Sequence, residues 1–558
     1  MPVPVPVVRD EAQILLPTRV LVFRSCRMPV FAETMEWIRQ EWPAAIVDVL
    51  TSPEWDEAVR GLGATRVFHY SGSSIGVRHN VQMLVRLRRE RYEVVVVPQM
   101  SDADGRHANL YRAIVAIAPA SVVTAAPGRP RRTFERRAFL RHTVRASLSW
   151  LLSAVDVPLL LVLQGLAYAS TRGAVTRVPR RRRVLHVITS FGVGGAQVQL
   201  AELLARTPAE MYAVEVLVLS RGDGDFSRQW LERPDIRFRY ADGWPCYSLC
   251  VIEIARLCRK ERYDLVHTWL FIANVVGAAG ARLGGVPRVL GSVRNLSLWK
   301  RTWYAQWWYR LADALATRIA DQVTVNATPL VADHAGWTWT RPERLVVVPN
   351  GLDPARVISQ SHGAAPWLRA QLGVGSDTPV VGTVGRLAME KDQEMFLRAV
   401  ALVREQRQDV QAVIVGDGAL RQELERRAQE LGLGDHVHFL GERTDSRRII
   451  AGLDVFVLTS RIEGFPNVLL EAAFLGVPAI ATAVGGSADV LDGDDLVEPG
   501  DAAHVCRSIL ARLDHRDSAQ FHAAAIRRRA FAQFTAEHSA GRWLAIYDEL
   551  LSDRGDGQ

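Results

Sequence analysis

Two glutamates eight positions apart, Glu463 and Glu471, lie in the run Ser460-Arg461-Ile462-Glu463-Gly464-Phe465-Pro466-Asn467-Val468-Leu469-Leu470-Glu471. An apolar strand, Asp454 to Leu458, precedes this run and a helix is expected to follow it. Between strand and helix Gly464 lets a ligand approach the backbone, and Pro466 suits a helix start because its missing N–H costs little there. A helix start presents free N–H groups and the positive end of the helix dipole, both of which favour phosphate. Glu463 then stands in the loop, near whatever the phosphate carries, while Glu471, further along the helix, accepts hydrogen bonds from hydroxyls on the other side. Hydroxyl groups on both sides of a phosphate describe a sugar nucleotide.

A second cluster follows the strand Pro379 to Val384, in Gly385-Arg386-Leu387-Ala388-Met389-Glu390-Lys391-Asp392. Only 3 of the 68 basic residues are lysine, Lys260, Lys300 and Lys391, so a lysine in this loop is not an ordinary surface cation. A compact ammonium meets a diphosphate as a point charge, and the arginine fork of Arg386 grips it bidentately.

Residues 183 to 550 resemble the GT-B glycosyltransferases of family 4, retaining enzymes that use nucleotide-activated sugars. Five motifs carry the resemblance, in the family's order: Gly194-Gly195-Ala196-Gln197, Val348-Pro349-Asn350-Gly351-Leu352-Asp353, Gly385-Arg386 with Lys391, Gly416-Asp417-Gly418, and Glu463 with Glu471. Each alone is an ordinary strand-to-helix turn or a solvated helix face; together, each in its required context, they are specific. The resemblance implies that Arg386 and Lys391 neutralise the donor diphosphate, that Glu463 approaches the transferred sugar, and that Glu471 meets the nucleotide ribose. Gly464 and Phe465 would offer their N–H groups to phosphate or sugar oxygens, and the Gly194-Gly195 turn would open the other half's backbone to donor and acceptor. It implies no metal and no cofactor, since the nucleotide sugar is itself the substrate. The spots Asp102-Ala103-Asp104, Asp223-Gly224-Asp225 and Asp492-Gly493-Asp494 are accordingly read as turns. Many relatives carry a histidine facing the sugar a few residues beyond the strand Leu265-Val266-His267. His267 is the only imidazole available there, and it is carried forward as a catalytic candidate beside the reading in which it is structural.

The elements that must position these residues alternate strand and helix throughout, the mark of an α/β fold with parallel sheets. A chain of 558 residues is too long for one core. Residues 1–128 read as a Rossmann-like α/β unit, similar in pattern to the N-terminal half of a heptosyltransferase, with no diagnostic site. Residues 129–182 form a connecting segment, 183–358 the acceptor-side half of a GT-B fold, and 375–536 its nucleotide-sugar-binding half. Residues 537–558 hold a last helix, with Trp543, Leu544, Ile546, Tyr547 and Leu550 at helical spacing, that by the family's pattern crosses back to the acceptor side. The five cysteines form no CxxC pair and complete no metal set, which fits thiols in a reducing compartment.

The net charge of +8 is unevenly placed. Between Gly128 and Arg183, thirteen arginines against Glu135 and Asp156 give a local net of +11, leaving about −3 elsewhere. These arginines flank the most apolar stretch, Leu148 to Ala169, which points to anionic lipid headgroups rather than nucleic acid. The stretch approaches the ~20 residues of a membrane span. Asp156, Pro158 as a helix breaker, and basic residues on both flanks favour a monotopic or re-entrant segment, with a buried interdomain helix as the other reading. The expected protein is therefore a glycosyltransferase at the inner face of a bacterial membrane. It would move a sugar from a UDP- or GDP-sugar to a glycan or lipid-linked acceptor for polysaccharide such as exopolysaccharide or lipopolysaccharide. The alternative is a catalytically weak scaffold that binds sugar nucleotide or glycan.

Overall fold

The computed structural model describes residues 17–23, 28–51, 56–69, 81–98, 121–125, 132–135, 156–170, 181–192, 194–220, 233, 235–241, 246–297, 306–359 and 361–552. The chain divides into two compact units, Met1–Pro158 with Asp242–Cys246, and Leu159–Ala241 with Tyr247–Gln558.

In the first unit the strands are β1 (Arg19–Phe23), β2 (Ile46–Thr51), β3 (Arg66–His69), β4 (Val94–Pro98), β5 (Ser121–Ala125) and β6 (Arg132–Glu135). They lie in the order β3-β2-β1-β4-β5-β6, parallel except for β6. Their valine-rich runs are buried on both faces, as a parallel sheet requires. Phe31, Met35 and Ile38 of the helix Met28–Glu41 pack on Val20, Val22 and Val49. Asp48 on β2 is a fully buried charge, and its carboxylate accepts from Arg66 (2.6 Å) and Tyr92 (2.7 Å). Because β6 pairs with β5, the sheet runs past residue 128 into the expected connecting segment.

The second unit holds two parallel sheets. The acceptor-side sheet comprises β7 (Arg182–Ile188), β8 (Tyr212–Val218), β9 (Arg237–Tyr240), β10 (Leu265–Trp269), β11 (Arg288–Val293), β12 (Gln322–Val325) and β13 (Leu345–Val347), ordered β13-β12-β11-β10-β7-β8-β9. The donor-side sheet comprises β14 (Val380–Val384), β15 (Gln411–Val415), β16 (Val437–Gly441), β17 (Val455–Leu458), β18 (Ala479–Thr482) and β19 (Leu496–Val497), ordered β16-β15-β14-β17-β18-β19. In the first sheet the chain reverses its direction of growth between β7 and β10, and in the second between β14 and β17. Ligands of open α/β sheets bind at such switch points, beyond the strands' C-terminal ends.

The helix Ala536–Leu551 crosses back, and its Trp543, Ile546 and Tyr547 join the core formed by Val184, Leu200, Val216 and Leu265. The crossing is stitched to the linker between the halves. Leu352 N–H donates to Phe534 O (3.1 Å), Ala536 N–H to Leu352 O (2.9 Å), and Ser539 Oγ to Pro349 O (2.9 Å).

Of the apolar stretch Leu148–Ala169, residues 156–169 form a helix and the remainder lies outside the described residues. Pro158 lies among these helical residues and the helix runs on past it to residue 169. Leu160, Gln164 and Ala167 are buried. The Gln164 amide donates to Ala312 O (3.0 Å) and Val275 O (3.4 Å), which fixes the helix against Phe271–Leu283 and Gln306–Ile319. Among the described residues no helix is long and apolar enough to cross a membrane.

Candidate active site

Four of the motifs found in the sequence sit at the two switch points. Gly194-Gly195 follows β7, Gly385-Arg386 follows β14, Glu463-Gly464 follows β17, and Gly416-Asp417-Gly418 follows β15 beside them. Gly195 opens the helix Gly195–Arg206 and Asn467 opens Asn467–Leu475. A methyl group on Gly195 would lie 3.5 Å from Asn467 Nδ2, so the N-terminal ends of these two helices face each other across the halves. Two positive dipole ends converge there, a setting for an anion.

On the donor side, Lys391 and Glu463 meet although 72 positions separate them. Lys391 Nζ lies 2.5 Å from Glu463 Oε1, which also accepts from Ser460 Oγ at 2.7 Å. Backbone and side-chain bonds hold the two loops in register. Arg461 N–H donates to Glu390 O (2.8 Å), Thr459 Oγ1 to Asp392 O (2.9 Å), and Arg461 Nε pairs with Asp392 (2.6 Å). The Arg386 guanidinium is 71% exposed and ion-paired with Glu390, within reach of an incoming ligand. Among the described residues neither the Gly464 N–H nor the Phe465 N–H meets a protein acceptor. Glu471 is buried and pairs with Arg447 at 2.9 Å. Burial pushes its carboxyl up from the usual range, and the Arg447 charge opposes that shift.

Glycines make this assembly possible because the loops touch backbone to backbone. A methyl on Gly416 would stand 2.9 Å from the Gly385 carbonyl carbon, and one on Gly418 equally close to Leu387. Gly485, at φ +51°, leaves no room either: a methyl there would lie 2.7 Å from Gly464 O. The neighbouring Gly486 N–H donates to that same oxygen at 2.7 Å. The pair Gly485-Gly486 is thus the clamp on the Glu463 loop, and adjacent glycines just after a strand were its only mark in the sequence.

The halves are joined by residues whose roles sequence reasoning did not assign. Asn350 donates to Phe465 O (3.2 Å) and to Asn467 Oδ1 (2.6 Å), and accepts from Arg294 Nη2 (2.5 Å). Gln199 holds the next residue at both ends, giving to Gly351 O (2.9 Å) and receiving from Gly351 N–H (2.8 Å). Arg294 is buried over the rings of Trp269 (5.4 Å) and Trp543 (5.9 Å), and burial brings its guanidinium down to about 9. Its backbone meets the opposite half: a methyl on Gly464 would lie 2.9 Å from the Arg294 carbonyl carbon.

His267 is elsewhere. It is fully buried in the middle of β10, and both ring nitrogens are engaged, with Tyr547 Oη (2.7 Å) and Ser292 Oγ (2.9 Å). The ring packs against Trp269 and Trp543, and burial holds it far below the usual imidazole range. The candidate catalytic histidine is a core residue that docks the crossover helix.

Two nucleotide-binding-type sheets facing each other across a phosphate-directed cleft, with a C-terminal helix returning to the first, make up the GT-B arrangement. The family model "Glycosyltransferase Family 4" matches residues 193–356, and "Glycosyl transferases group 1" matches 378–515. A D-inositol 3-phosphate glycosyltransferase of Corynebacterium jeikeium is 31% identical over 334 residues, 55% of this chain and 78% of that protein. The Vi polysaccharide biosynthesis protein VipC/TviE of Salmonella typhi is 28% identical over 50% of this chain, which spans about half (48%) of that longer relative. A UDP-Gal:alpha-D-GlcNAc-diphosphoundecaprenol alpha-1,3-galactosyltransferase of Escherichia coli is 30% identical over 42% of the chain and 62% of its own length. The fold matches HepE of Anabaena, solved with UDP, with a TM-score of 0.57 and 23% identity over 66% of this chain and all of that one. This chain belongs to the family 4 glycosyltransferases, enzymes that transfer glycosyl groups.

Proposed function

We propose that the protein transfers a sugar, with retention of configuration, from a UDP- or GDP-sugar to a glycan or lipid-linked acceptor in the assembly of a bacterial cell-surface polysaccharide. The observation that carries this reading is the meeting of Lys391 and Glu463 beside Arg386, at the point where two helix N-termini converge. In the reaction the bond between the anomeric carbon and the diphosphate oxygen breaks, and an acceptor oxygen takes the same face of the sugar. Negative charge collects on the departing diphosphate. Lys391, Arg386 and the N–H groups of Gly464 and Phe465 supply preorganised positive charge to it, which is the electrostatic contribution expected to dominate. When Lys391 turns to the diphosphate, Glu463 is freed to accept from hydroxyls of the sugar, still steadied by Ser460. Glu471, held by Arg447, takes the ribose. Two cations and paired dipoles do the neutralising, so no metal is required on this reading.

The relatives' names support the setting: one belongs to polysaccharide biosynthesis and one acts on a lipid-linked diphosphate acceptor. The arginine-rich stretch 129–183 suits contact with anionic lipid at the inner face of the membrane.

The test is a thermal-shift screen against UDP, GDP, ADP and dTDP, followed by incubation with the matching sugar nucleotides. A nucleotide at a hundred times its Kd stabilises by about 2.7 kcal/mol, enough to stand out. Slow hydrolysis of one donor, with release of the retained anomer, is the expected result. Binding without turnover of any donor or acceptor would refute the proposed transfer and leave the scaffold.

A further inference from the structure

The helix at 156–169 has two faces of different kinds. Leu160, Gln164 and Ala167, spaced i, i+4, i+7, turn inward and are at most 1% exposed. Leu159, Val162 and Leu166, spaced i, i+3, i+7, form the opposite stripe and are 43%, 58% and 56% exposed, with Tyr168 also open in the last turn. Beside it, Gln306–Ile319 accepts the Gln164 bond at Ala312 and exposes Trp307 and Leu311, one turn apart. A soluble protein seldom leaves so many large apolar side chains together without an occupant.

We propose that this face, Leu159, Val162 and Leu166 with Trp307 and Leu311, is the surface on which the enzyme lies in the interface of an anionic bilayer. The inference rests on the membrane association proposed above and assigns it a place. One face of the described helical residues 156–169, which extend about 21 Å, is already committed to protein, so lipid does not surround the segment. The helix therefore lies in the membrane plane, with its apolar stripe in the headgroup boundary. Charge selects lipid over a protein partner: seven arginines between Arg129 and Arg145 and four between Arg172 and Arg181 border the helix in sequence. Anionic headgroups complement that charge while acyl chains take the stripe, and Trp307 is a residue type that settles at the boundary. This docking puts the membrane against the acceptor-side half, where a lipid-linked acceptor would arrive.

The experiment is flotation of the full chain with vesicles of phosphatidylglycerol and phosphatidylethanolamine, or of phosphatidylcholine alone. Val162→Asp/Leu166→Asp and, separately, Trp307→Glu are compared with wild type, each checked for unchanged melting and unchanged hydrolysis of a water-soluble donor. The expected result is binding to the anionic vesicles only, weakened at least tenfold by either variant. Three results would overturn the proposal: no vesicle binding by wild type, binding that falls with salt but ignores both variants, or a wild-type dimer that the variants dissociate. If no donor is turned over while vesicle binding still responds to the variants, the transferase reading fails and this surface stands.

Discussion

Replacing Gly464 with alanine tests whether the two halves work in the contact described. The added methyl would lie 2.9 Å from the Arg294 carbonyl carbon and 3.2 Å from Asn295 Oδ1, with the Arg294 carbonyl oxygen closer still. Nonbonded carbons settle at about 3.5–4.0 Å, and the nearer carbonyl oxygen demands more room than the carbon does, so the two backbones must part by at least ~1 Å. Arg294 cannot yield alone, because its side chain is buried over two tryptophans and bonded to Asn350. The separation strains the bonds from Asn350 to Phe465 O and to Asn467, each worth ~1 kcal/mol net, so stability falls by at most about 2 kcal/mol. The effect on rate is larger. A misplacement of ~1 Å between reacting groups costs on the order of a hundredfold, or about 2.7 kcal/mol of activation free energy. Of the proposed donor contacts Arg386, Lys391, Glu463 and Glu471 lie within one half and only the Gly194-Gly195 turn lies in the other, so kcat should drop ~100-fold while KM for the donor changes much less. Steady-state kinetics on the best donor, with calorimetry for stability, measure both quantities. A kcat within about threefold of wild type would show that turnover does not pass through this contact.

Lys391→Ala should lower kcat by two to three orders of magnitude, since one donor aimed at developing charge is worth roughly 3–4 kcal/mol; Lys391→Arg should restore only part, and wild-type kinetics in the alanine variant would remove this residue from the mechanism. His267→Ala should destabilise by about 3 kcal/mol, through the lost packing and the unpaired Tyr547 hydroxyl, Ser292 keeping its bond to Thr324, with kcat/KM at low temperature within about threefold; a large rate loss at full stability would return the imidazole to the chemistry. His186, held by burial at about 3, and His267, held far below 6.5, stay neutral in the fold while the unfolded chain takes up protons near pH 6.5. Their contribution is whole above pH 6.5 and erodes as pH falls, for His186 by ~2 kcal/mol at pH 5, with a further loss of the same sign from His267. Denaturant melts at pH 7 and 5 should show this loss, and His186→Phe should reduce it; an unchanged pH slope in that variant would refute the account.

The sequence by itself determined the order of strands and helices and where the candidate donor-side residues lie, because both are written locally. Val380–Val384 and Val455–Leu458 read as buried strands from a few adjacent residues, and the turns after them carry Arg386, Lys391, Glu463 and Glu471 within short windows. Contacts between distant segments have no such signature. That Asn350 joins Phe465 and Asn467, that Arg447 answers Glu471, and that Gly485 presses on the Glu463 loop depend on how two sheets and a returning helix pack. His267 shows the difference most sharply. A strand-end position offers the same residue to a cleft or to a core, and Tyr547, 280 positions away, decided for the core. The apolar stretch Leu148–Ala169 was ambiguous for the same reason: composition counts apolar residues, but only packing turns Leu160, Gln164 and Ala167 inward and leaves Leu159, Val162 and Leu166 facing out.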